Sequence, residues 1–195
     1  MISTEFIQKL RAETGAGIMD IKHALEEANG DKNKARDILR LMGQKIAHKK
    51  QAERMAKDGL IGQYIHANGK VAALVMLSSE TDFVAKNEIF KSLAHDLAMQ
   101  VAAMNPSYIA PEDVPMEIIE KEKKFYQEEL AKENKPAEIA EKIIAGKLNK
   151  YFEDVCLVNQ KFIKDETKVI KDLLTENIAK LGEKIEIKKI IRWEI

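Results

Sequence analysis

Several features are scarce or absent in this 195-residue sequence, and each absence excludes a class of protein. There is one cysteine, Cys156, so an internal disulfide is excluded and a reducing compartment is favoured. No run of 18 apolar residues occurs, and the N-terminus lacks a signal-peptide pattern, so no membrane association is expected. Thirty-two basic residues balance 32 acidic ones, which gives no indication of a nucleic-acid partner. We therefore expect a cytoplasmic protein that contacts neither membrane nor nucleic acid directly.

Motifs for catalysis or cofactor binding are also absent. Gly59–Gly62 lies in a strand pattern and lacks the Lys-Ser/Thr pair of a phosphate loop. The four histidines have no metal-ligand spacing. Cys156 has apolar neighbours on both sides, which is typical of a buried, unreactive thiol. Glu80 and Asp82 alone make a weak divalent-cation site. We predict no cofactor, no resident metal and no enzymatic activity. A metal-dependent hydrolase that uses Glu80 and Asp82 is a minor alternative.

The first part of the chain has the pattern of a small helical domain. Thr14–Gly17, with two glycines, is expected to form a left-handed turn between two helices. Asp31 is expected to cap a third helix and Gly43 to end it. We predict a three-helix domain over 1–43, of a size that usually presents a surface to a partner. A basic linker helix over 44–57 follows, in which no aromatic residue is interleaved for nucleic-acid stacking.

Residues 58–195 predict a second domain, built on a small antiparallel sheet. Strands over 60–66 and 70–78 flank Asn68-Gly69, which is typical of a type I′ hairpin turn. The C-terminal strand needs a sheet to join, and this hairpin is the available one. The fold class is then α+β, with helices packed on a three-stranded antiparallel sheet. One face of the last strand is predicted to carry Ile185, Ile187, Ile191, Trp193 and Ile195, with Lys189 as the exception.

The same domain contains three predicted helical segments. One runs over 88–104, and a helical hairpin occupies 116–150 with its turn at Asn134–Pro136. Residues 151–166 are predicted to be irregular, and a helix over 168–180 is expected to be capped by Asp165 or Thr167. The buried stripe of the first helix is predicted to be Ile89, Leu93, Leu97 and Val101. The seam of the hairpin is predicted to contain Ile118, Ile119, Phe125, Leu130, Ile139, Ile143 and Leu148.

The junction Ser78–Asn87 connects a buried strand to a helix, and it contains an acid followed directly by a bulky aromatic. Junctions of this kind lie at the edge of a rigid scaffold, where function is often placed. Two interpretations are open. Either Thr81 or Asp82 caps a helix and Phe83 enters the core, or Asp82 and Phe83 offer a carboxylate and a hydrophobic wedge to a partner. The residue types alone favour the core position.

Two long motifs resemble the bacterial translation elongation factor Ts family. They are Leu10–Leu25, similar to the opening of its ubiquitin-associated-like domain, and Glu80–Asn87, similar to its core motif. Cys156–Phe162 and the ending from Gly182 to Glu194 are also similar, so the resemblance covers essentially the whole chain. The sequence departs from the family pattern at Met76–Ser79 and at Lys161, where proline is common. These departures affect the local backbone and not the Asp-Phe pair.

The resemblance implies a guanine-nucleotide exchange factor for elongation factor Tu, without enzymatic chemistry of its own. Asp82 and Phe83 would wedge into the nucleotide domain of the GDP-bound partner and disturb its Mg²⁺ and phosphate site. Thr81 and Val84 would hold the shape of the loop. Further partner contacts are expected at Ile18, Met19, Lys22 and His66.

The resemblance also implies an assembly state. Longer family members carry a duplicated core sheet, whereas this chain has one Thr-Asp-Phe-Val segment and one C-terminal strand. It therefore resembles the short form, which is expected to complete its core as a homodimer through the sheet edge. The main alternative function is a simple adaptor, whose three-helix domain would bind a helix or a ubiquitin-like surface.

Overall fold

The structure is a computed structural model that describes residues 4–53, 55–131 and 137–195. The chain packs as two compact units, one of residues up to 102 together with 172–195, and one of residues 103–171. The domain boundaries predicted from the sequence remain a prediction. In chain order the α-helices are α1 (Thr4–Thr14), α2 (Ile18–Glu27), α3 (Lys32–Glu53), α4 (Asp82–Ala85), α5 (Glu88–Met104), α6 (Met116–Ala131), α7 (Ala137–Val155) and α8 (Ile170–Leu181). The strands are β1 (Asp58–Ile65), β2 (Val71–Ser79), β3 (Lys161–Phe162), β4 (Asp165–Val169) and β5 (Glu186–Glu194).

Helices α1, α2 and α3 pack around a small apolar core, as the sequence predicts. Gly15 has a φ of +69° and makes the turn between α1 and α2. Asp31 caps α3, because its Oδ1 accepts hydrogen bonds from the N–H groups of Asn33 and Lys34 at 2.9 and 3.2 Å. The buried side chains of this core are Leu10, Ile21, Ala24, Leu25, Ala28, Ala35 and Leu39.

The helix end predicted at Gly43 is wrong, since α3 continues to Glu53. A Cβ at Gly43 would lie 3.3 Å from the Cβ of Ala179 in α8. The glycine therefore permits a close approach of two helices and does not act as a C-terminal cap. The side chains of the basic segment from 46 to 54 lie outside the described residues.

The first unit contains the predicted three-stranded antiparallel sheet, in the order β1-β2-β5. This sheet and the helices around it confirm the α+β class. The hairpin between β1 and β2 is as predicted, but its turn type is not. Gly69 has a φ of +69°, whereas the positive-φ non-glycine residues of the described chain do not include Asn68, so the turn is not type I′. Instead the Gly69 N–H donates to the His66 carbonyl at 2.8 Å, which closes a turn over 66–69.

Strand β5 contains an irregularity that the alternating sequence conceals. Leu77 pairs with Ile187, but its neighbour Met76 pairs with Lys189, so one extra residue enters β5 at a bulge. A one-residue shift exchanges the two faces of the strand beyond that point. The single apolar face predicted for β5 is therefore wrong. Ile187 is buried, whereas Ile191 and Trp193 lie on the opposite, outer face of the sheet.

Helix α5 packs against the inner face of the sheet. Gly62 makes this close approach possible, because a Cβ there would lie 2.3 Å from the carbonyl oxygen of Ala94. The Arg192 Nε–H donates to the Ala102 carbonyl at 2.9 Å and ties β5 to the same helix. Leu93, Leu97 and Val101 are buried as predicted, but Ile89 is exposed. Its neighbour Phe90 is buried in its place. Phe90 also has helical spacing from Leu93 and Leu97, so it belongs to the same apolar stripe.

The second unit contains α6, α7 and a short hairpin of β3 and β4. The segment predicted to be irregular, 151–166, contains the end of α7 and most of that hairpin. The predicted caps Asp165 and Thr167 lie in β4, and α8 begins later, at Ile170. Strand β4 contains β-branched residues, which favour a strand over the first turn of a helix.

Helices α6 and α7 form the predicted antiparallel arm, in part through the predicted seam. Leu130 and Leu148 are buried, whereas Phe125 and Ile139 are exposed. The turn predicted at Asn134–Pro136 lies outside the described residues. The arm therefore keeps two of its predicted apolar side chains at its surface.

Cys156 is fully buried in the second unit, as its apolar neighbours predict. Burial raises the pKa of its thiol to about 11, and the carboxylates of Asp113 and Glu112 add to the effect. At pH 8 roughly one thiol in a thousand would then be the reactive thiolate. We expect reaction with a thiol reagent to be slow in the native protein and to become fast on unfolding. Rapid native modification, measured by absorbance, would contradict the buried position.

Candidate functional site

The junction between β2 and α5 consists of the short helix α4 and the capped start of α5. Helix α4 is a single turn, in which the Lys86 N–H donates to the Asp82 carbonyl at 3.0 Å. Asn87 then starts α5, because its Oδ1 accepts a hydrogen bond from the Ile89 N–H at 2.8 Å. We call residues Thr81–Val84 the α4 turn. It is a short segment between the end of β2 and the start of α5.

The α4 turn has one buried and one exposed apolar side chain. Val84 is buried, with 9% of its surface exposed, whereas Phe83 exposes 82%. The core position that residue types alone favour for Phe83 is therefore wrong. Burying apolar surface is favourable by roughly 25 cal/mol per Å², and this exposed benzyl side chain leaves that free energy unused. Such a side chain on an ordered turn is the feature expected of an interface anchor.

A carboxylate from a distant part of the chain holds the start of the α4 turn. Glu183 Oε2 accepts hydrogen bonds from the N–H groups of Glu80 and Thr81, at 3.1 and 3.0 Å. Its Oε1 accepts a third, from the Thr81 hydroxyl, at 2.6 Å. In return the Lys184 N–H donates to Glu80 Oε1 at 2.6 Å. Sequence reasoning missed this contact, because no spacing pattern links residues that lie about a hundred positions apart.

Asp82 is paired within its own helix. Lys86 Nζ lies 2.6 Å from Asp82 Oδ2, in the i,i+4 arrangement. The hydrogen bond from Lys86 holds the pKa of the Asp82 carboxyl below its ordinary value, and the charge of Lys86 adds to the effect. Asp82 is therefore an ionised, half-exposed carboxylate at the base of the exposed ring.

The pairing of Asp82 with Lys86 leads to a pH prediction. A carboxyl whose pKa is lowered on folding stabilises the fold at neutral pH, and this contribution is lost as pH falls through the lowered pKa. We expect NMR titration of the side-chain carboxyl to give a pKa below the ordinary value of 3.8. Lys86→Met should return the pKa toward that value. An unchanged Asp82 pKa in Lys86→Met would show that Lys86 is not its cause.

The other predicted contact residues lie at two different places in the first unit. Ile18, Met19 and Lys22 share the exposed side of the first turns of α2. His66 is exposed just beyond the end of β1, where its Nδ1 lies 3.2 Å from the Tyr64 hydroxyl. The β1 residue beside the junction is Asp58, which pairs with Ser79. His66 lies eight positions further along the chain, a span of roughly 26 Å in a strand, so His66 does not share a site with the α4 turn.

The residues that the structure describes contain no group of three or more His, Cys, Asp and Glu side chains placed to hold a metal ion. In the same part of the chain, no helix is both long enough and apolar enough to cross a membrane.

Comparison with known proteins gives a consistent result. The family model described as Elongation factor TS matches residues 4–195. The Elongation factor Ts of Carboxydothermus hydrogenoformans is 50% identical over 195 residues, which is all of this chain and 89% of that protein. Those of Thermodesulfovibrio yellowstonii and Thermotoga petrophila are 51% and 53% identical over 194 residues, with 100% of this chain and 96% of each protein covered. The chain therefore belongs to the elongation factor Ts family, whose members act in the elongation stage of protein biosynthesis.

Proposed function

We propose that this protein is a guanine-nucleotide exchange factor for elongation factor Tu and that the α4 turn is the part that acts on the nucleotide site. The observation that carries the proposal is the 82% exposure of Phe83 on an ordered turn. Membership of the family indicates the partner, which is a GTPase that holds GDP through a phosphate loop and Mg²⁺. The protein would bind the GDP-bound GTPase, release GDP and leave the site free for GTP.

The physical role of each residue in the turn follows from its surroundings. Phe83 would bury its ring between helices of the GTPase and supply most of the local binding energy. Val84, packed in the core, and Thr81, held by Glu183, would keep the turn in one shape, so that little conformational entropy is lost on binding. Asp82 would bring a negative charge close to the polar surroundings of the Mg²⁺ ion and weaken the hold on the phosphates.

The proposed mechanism needs no covalent step. It is negative coupling between two ligands of one GTPase, and such coupling is reciprocal. A factor that weakens GDP binding by a given ratio must itself be bound more weakly by the same ratio when GDP is present. The protein would therefore act without being an enzyme in the usual sense, and its action would take place in the cytoplasm, with translation.

Additional contacts would orient the protein on its partner. Ile18, Met19 and Lys22 form an apolar and basic patch on α2, away from the buried face of that helix. We propose that this patch contacts the GTPase. His66 would make a separate contact at the far end of β1.

Equilibrium binding tests the proposal against the adaptor alternative. The affinity of this protein for elongation factor Tu is measured by calorimetry with and without saturating GDP, at fixed Mg²⁺. The exchange-factor proposal predicts much tighter binding without GDP, and GDP affinity lowered by the same ratio when the protein is present. Equal affinity in both conditions would reject the proposal and favour a simple adaptor.

We also propose that the protein is a homodimer. Two surfaces are available to a second copy. One is the edge of β1, and the other is the outer face of the sheet, which carries exposed apolar side chains. Direct cross-strand pairs share a face, which places Ile61 with Met76, and Ile65 with Ala72 and Trp193. A second copy would cover this face or pair with the edge. Sedimentation should give a dimer, which Ile65→Glu should weaken, whereas a monomer at all concentrations would reject the proposal.

A further inference from the structure

We propose that Glu183 is a positioning residue for nucleotide exchange, which holds the α4 turn so that Phe83 projects in one direction. This inference rests on the proposed function of the α4 turn. It assigns a role in exchange to the loop between α8 and β5, which lies about a hundred positions from the turn in the sequence.

The contacts form a reciprocal clamp between two loops. The Glu183 carboxylate accepts three hydrogen bonds, from the two N–H groups of Glu80 and Thr81 and from the Thr81 hydroxyl, at 2.6–3.1 Å. The Glu80 carboxylate accepts one in the opposite direction, from the Lys184 N–H at 2.6 Å. Hydrogen bonds to an ionised acceptor are shorter and stronger than neutral ones. The two loops are therefore joined by four hydrogen bonds to two carboxylates.

The clamp acts on the residue that starts α4. Thr81 is the N-cap of this helix, but its hydroxyl accepts no capping hydrogen bond from α4 and instead donates to Glu183. An isolated helical turn is unstable in water, and α4 has only four residues. Its shape must therefore come from its two ends. Val84 fixes one end by packing in the core, and the other end is held by Glu183 and by the Ser79 hydroxyl, which donates to the Thr81 carbonyl at 2.9 Å.

Phe83 lies between these two fixed points. Its ring lacks the core packing that holds Val84, since 82% of its surface is exposed. No core contact fixes this side chain, so the backbone of the turn sets the direction of its Cα–Cβ bond. Without the clamp, Thr81 and the turn would sample several backbone conformations, and the population with the binding-competent direction would fall. A protein with a partly populated competent state binds its partner more weakly by that fraction.

The loop that supplies Glu183 is itself well anchored. Gly182, with a φ of +76°, turns the chain directly after α8. The helix before it packs closely on the three-helix domain, since a Cβ at Gly15 would lie 2.8 Å from the Cα of Lys180. Ile185, directly after the clamp, is fully buried. Glu183 thus stands between two fixed elements and is a suitable support for a projecting turn.

The experiment combines exchange kinetics with a local structural readout. The kcat/KM of fluorescent-GDP release from elongation factor Tu is measured for the unmodified protein and for Glu183→Ala, Glu183→Gln, Thr81→Val, Thr81→Ser and Phe83→Ala. Glu166→Ala removes an exposed carboxylate on β4 and is the control matched for charge. Backbone amide hydrogen exchange of residues 80 and 81 is followed by NMR in the full chain, and thermal unfolding shows that each variant folds.

The clamp predicts a graded pattern. Glu183→Ala should lower kcat/KM roughly tenfold, with Glu183→Gln intermediate because one acceptor oxygen remains. Thr81→Val should reduce kcat/KM, and Thr81→Ser, which keeps the hydroxyl donor, should recover most of that loss. In Glu183→Ala the amides of residues 80 and 81 should exchange at least several-fold faster, while those of the central strand β2 keep their rates. Glu166→Ala should change none of these values.

Three results would contradict the account, and they can be told apart. If Phe83→Ala is inactive but folded Glu183→Ala exchanges like the unmodified protein, the role of Glu183 is rejected and the proposed function stands. If Thr81→Ser is as impaired as Thr81→Val, the hydroxyl donor is not what matters and the clamp is rejected. If the unmodified protein does not accelerate release, the proposed function fails, and the role of Glu183 in exchange fails with it.

Discussion

Phe83→Ala is expected to abolish most of the nucleotide-exchange activity while leaving the fold intact. Removing a central aromatic anchor from an interface costs about 3 kcal/mol, or roughly 100-fold in kcat/KM. The same change should alter the free energy of unfolding by less than about 0.5 kcal/mol, because the side chain is 82% exposed and fills no core space. Fluorescent-GDP release measures the first quantity and urea denaturation the second.

The chain provides a matched control for this experiment. Phe125 lies on α6 and exposes 60% of its surface, so it is also a solvated phenylalanine on a helix. Phe125→Ala should leave exchange unchanged, since Phe125 is not part of the α4 turn. A folded Phe83→Ala variant with normal exchange would overturn the wedge hypothesis. Equal losses in both variants would show that the effect is not specific to the turn.

Gly62→Ala is expected to cause a large loss of stability. A Cβ at this position would lie 2.3 Å from the carbonyl oxygen and 2.5 Å from the carbonyl carbon of Ala94. These are backbone atoms of α5 and cannot rotate away, so β1 and α5 must move apart. We expect a loss of about 3 kcal/mol, or roughly 6–12 °C in Tm, which is typical of overpacking in a chain of this size. Calorimetry or circular dichroism measures the change.

Gly146→Ala is the control, and the opposite sign is expected. Gly146 lies within α7, and apart from its chain neighbours and the backbone of its own helix no described atom comes within 4 Å of its would-be Cβ. Glycine inside a helix costs about 0.5–1 kcal/mol relative to alanine, so the variant should be slightly more stable. If Gly62→Ala unfolds at the same temperature as the unmodified protein, the close packing of β1 on α5 is wrong.

Local signals predicted much of the fold, and they failed where a contact between distant residues decides the structure. The cap at Asp31 and the turn at Gly15 depend on neighbouring residues, and both are as predicted. Gly43 has the sequence context of a helix end, but a glycine is suited to this position because Ala179 of α8 approaches it closely. Regular alternation predicts one face for β5, whereas a bulge in the pairing with β2 divides the strand between two faces.

The candidate site divides in the same way. The Asp-Phe pair could be found from the sequence, because it lies at a strand-to-helix junction, where function is often placed. Residue types alone favour a buried Phe83, and only the fold shows that its neighbour Val84 takes the core position. Glu183 could not be found from the residues alone, since its partners Glu80 and Thr81 are distant in sequence.

The initial rate of fluorescent-GDP release from excess elongation factor Tu tests the central claim most directly. A small amount of this protein is added in the presence of unlabelled GDP and constant Mg²⁺. We expect many release events for each molecule of protein, because an exchange factor that GDP displaces is free to act again. Release limited to one event per molecule, or no acceleration from a folded protein, would contradict it.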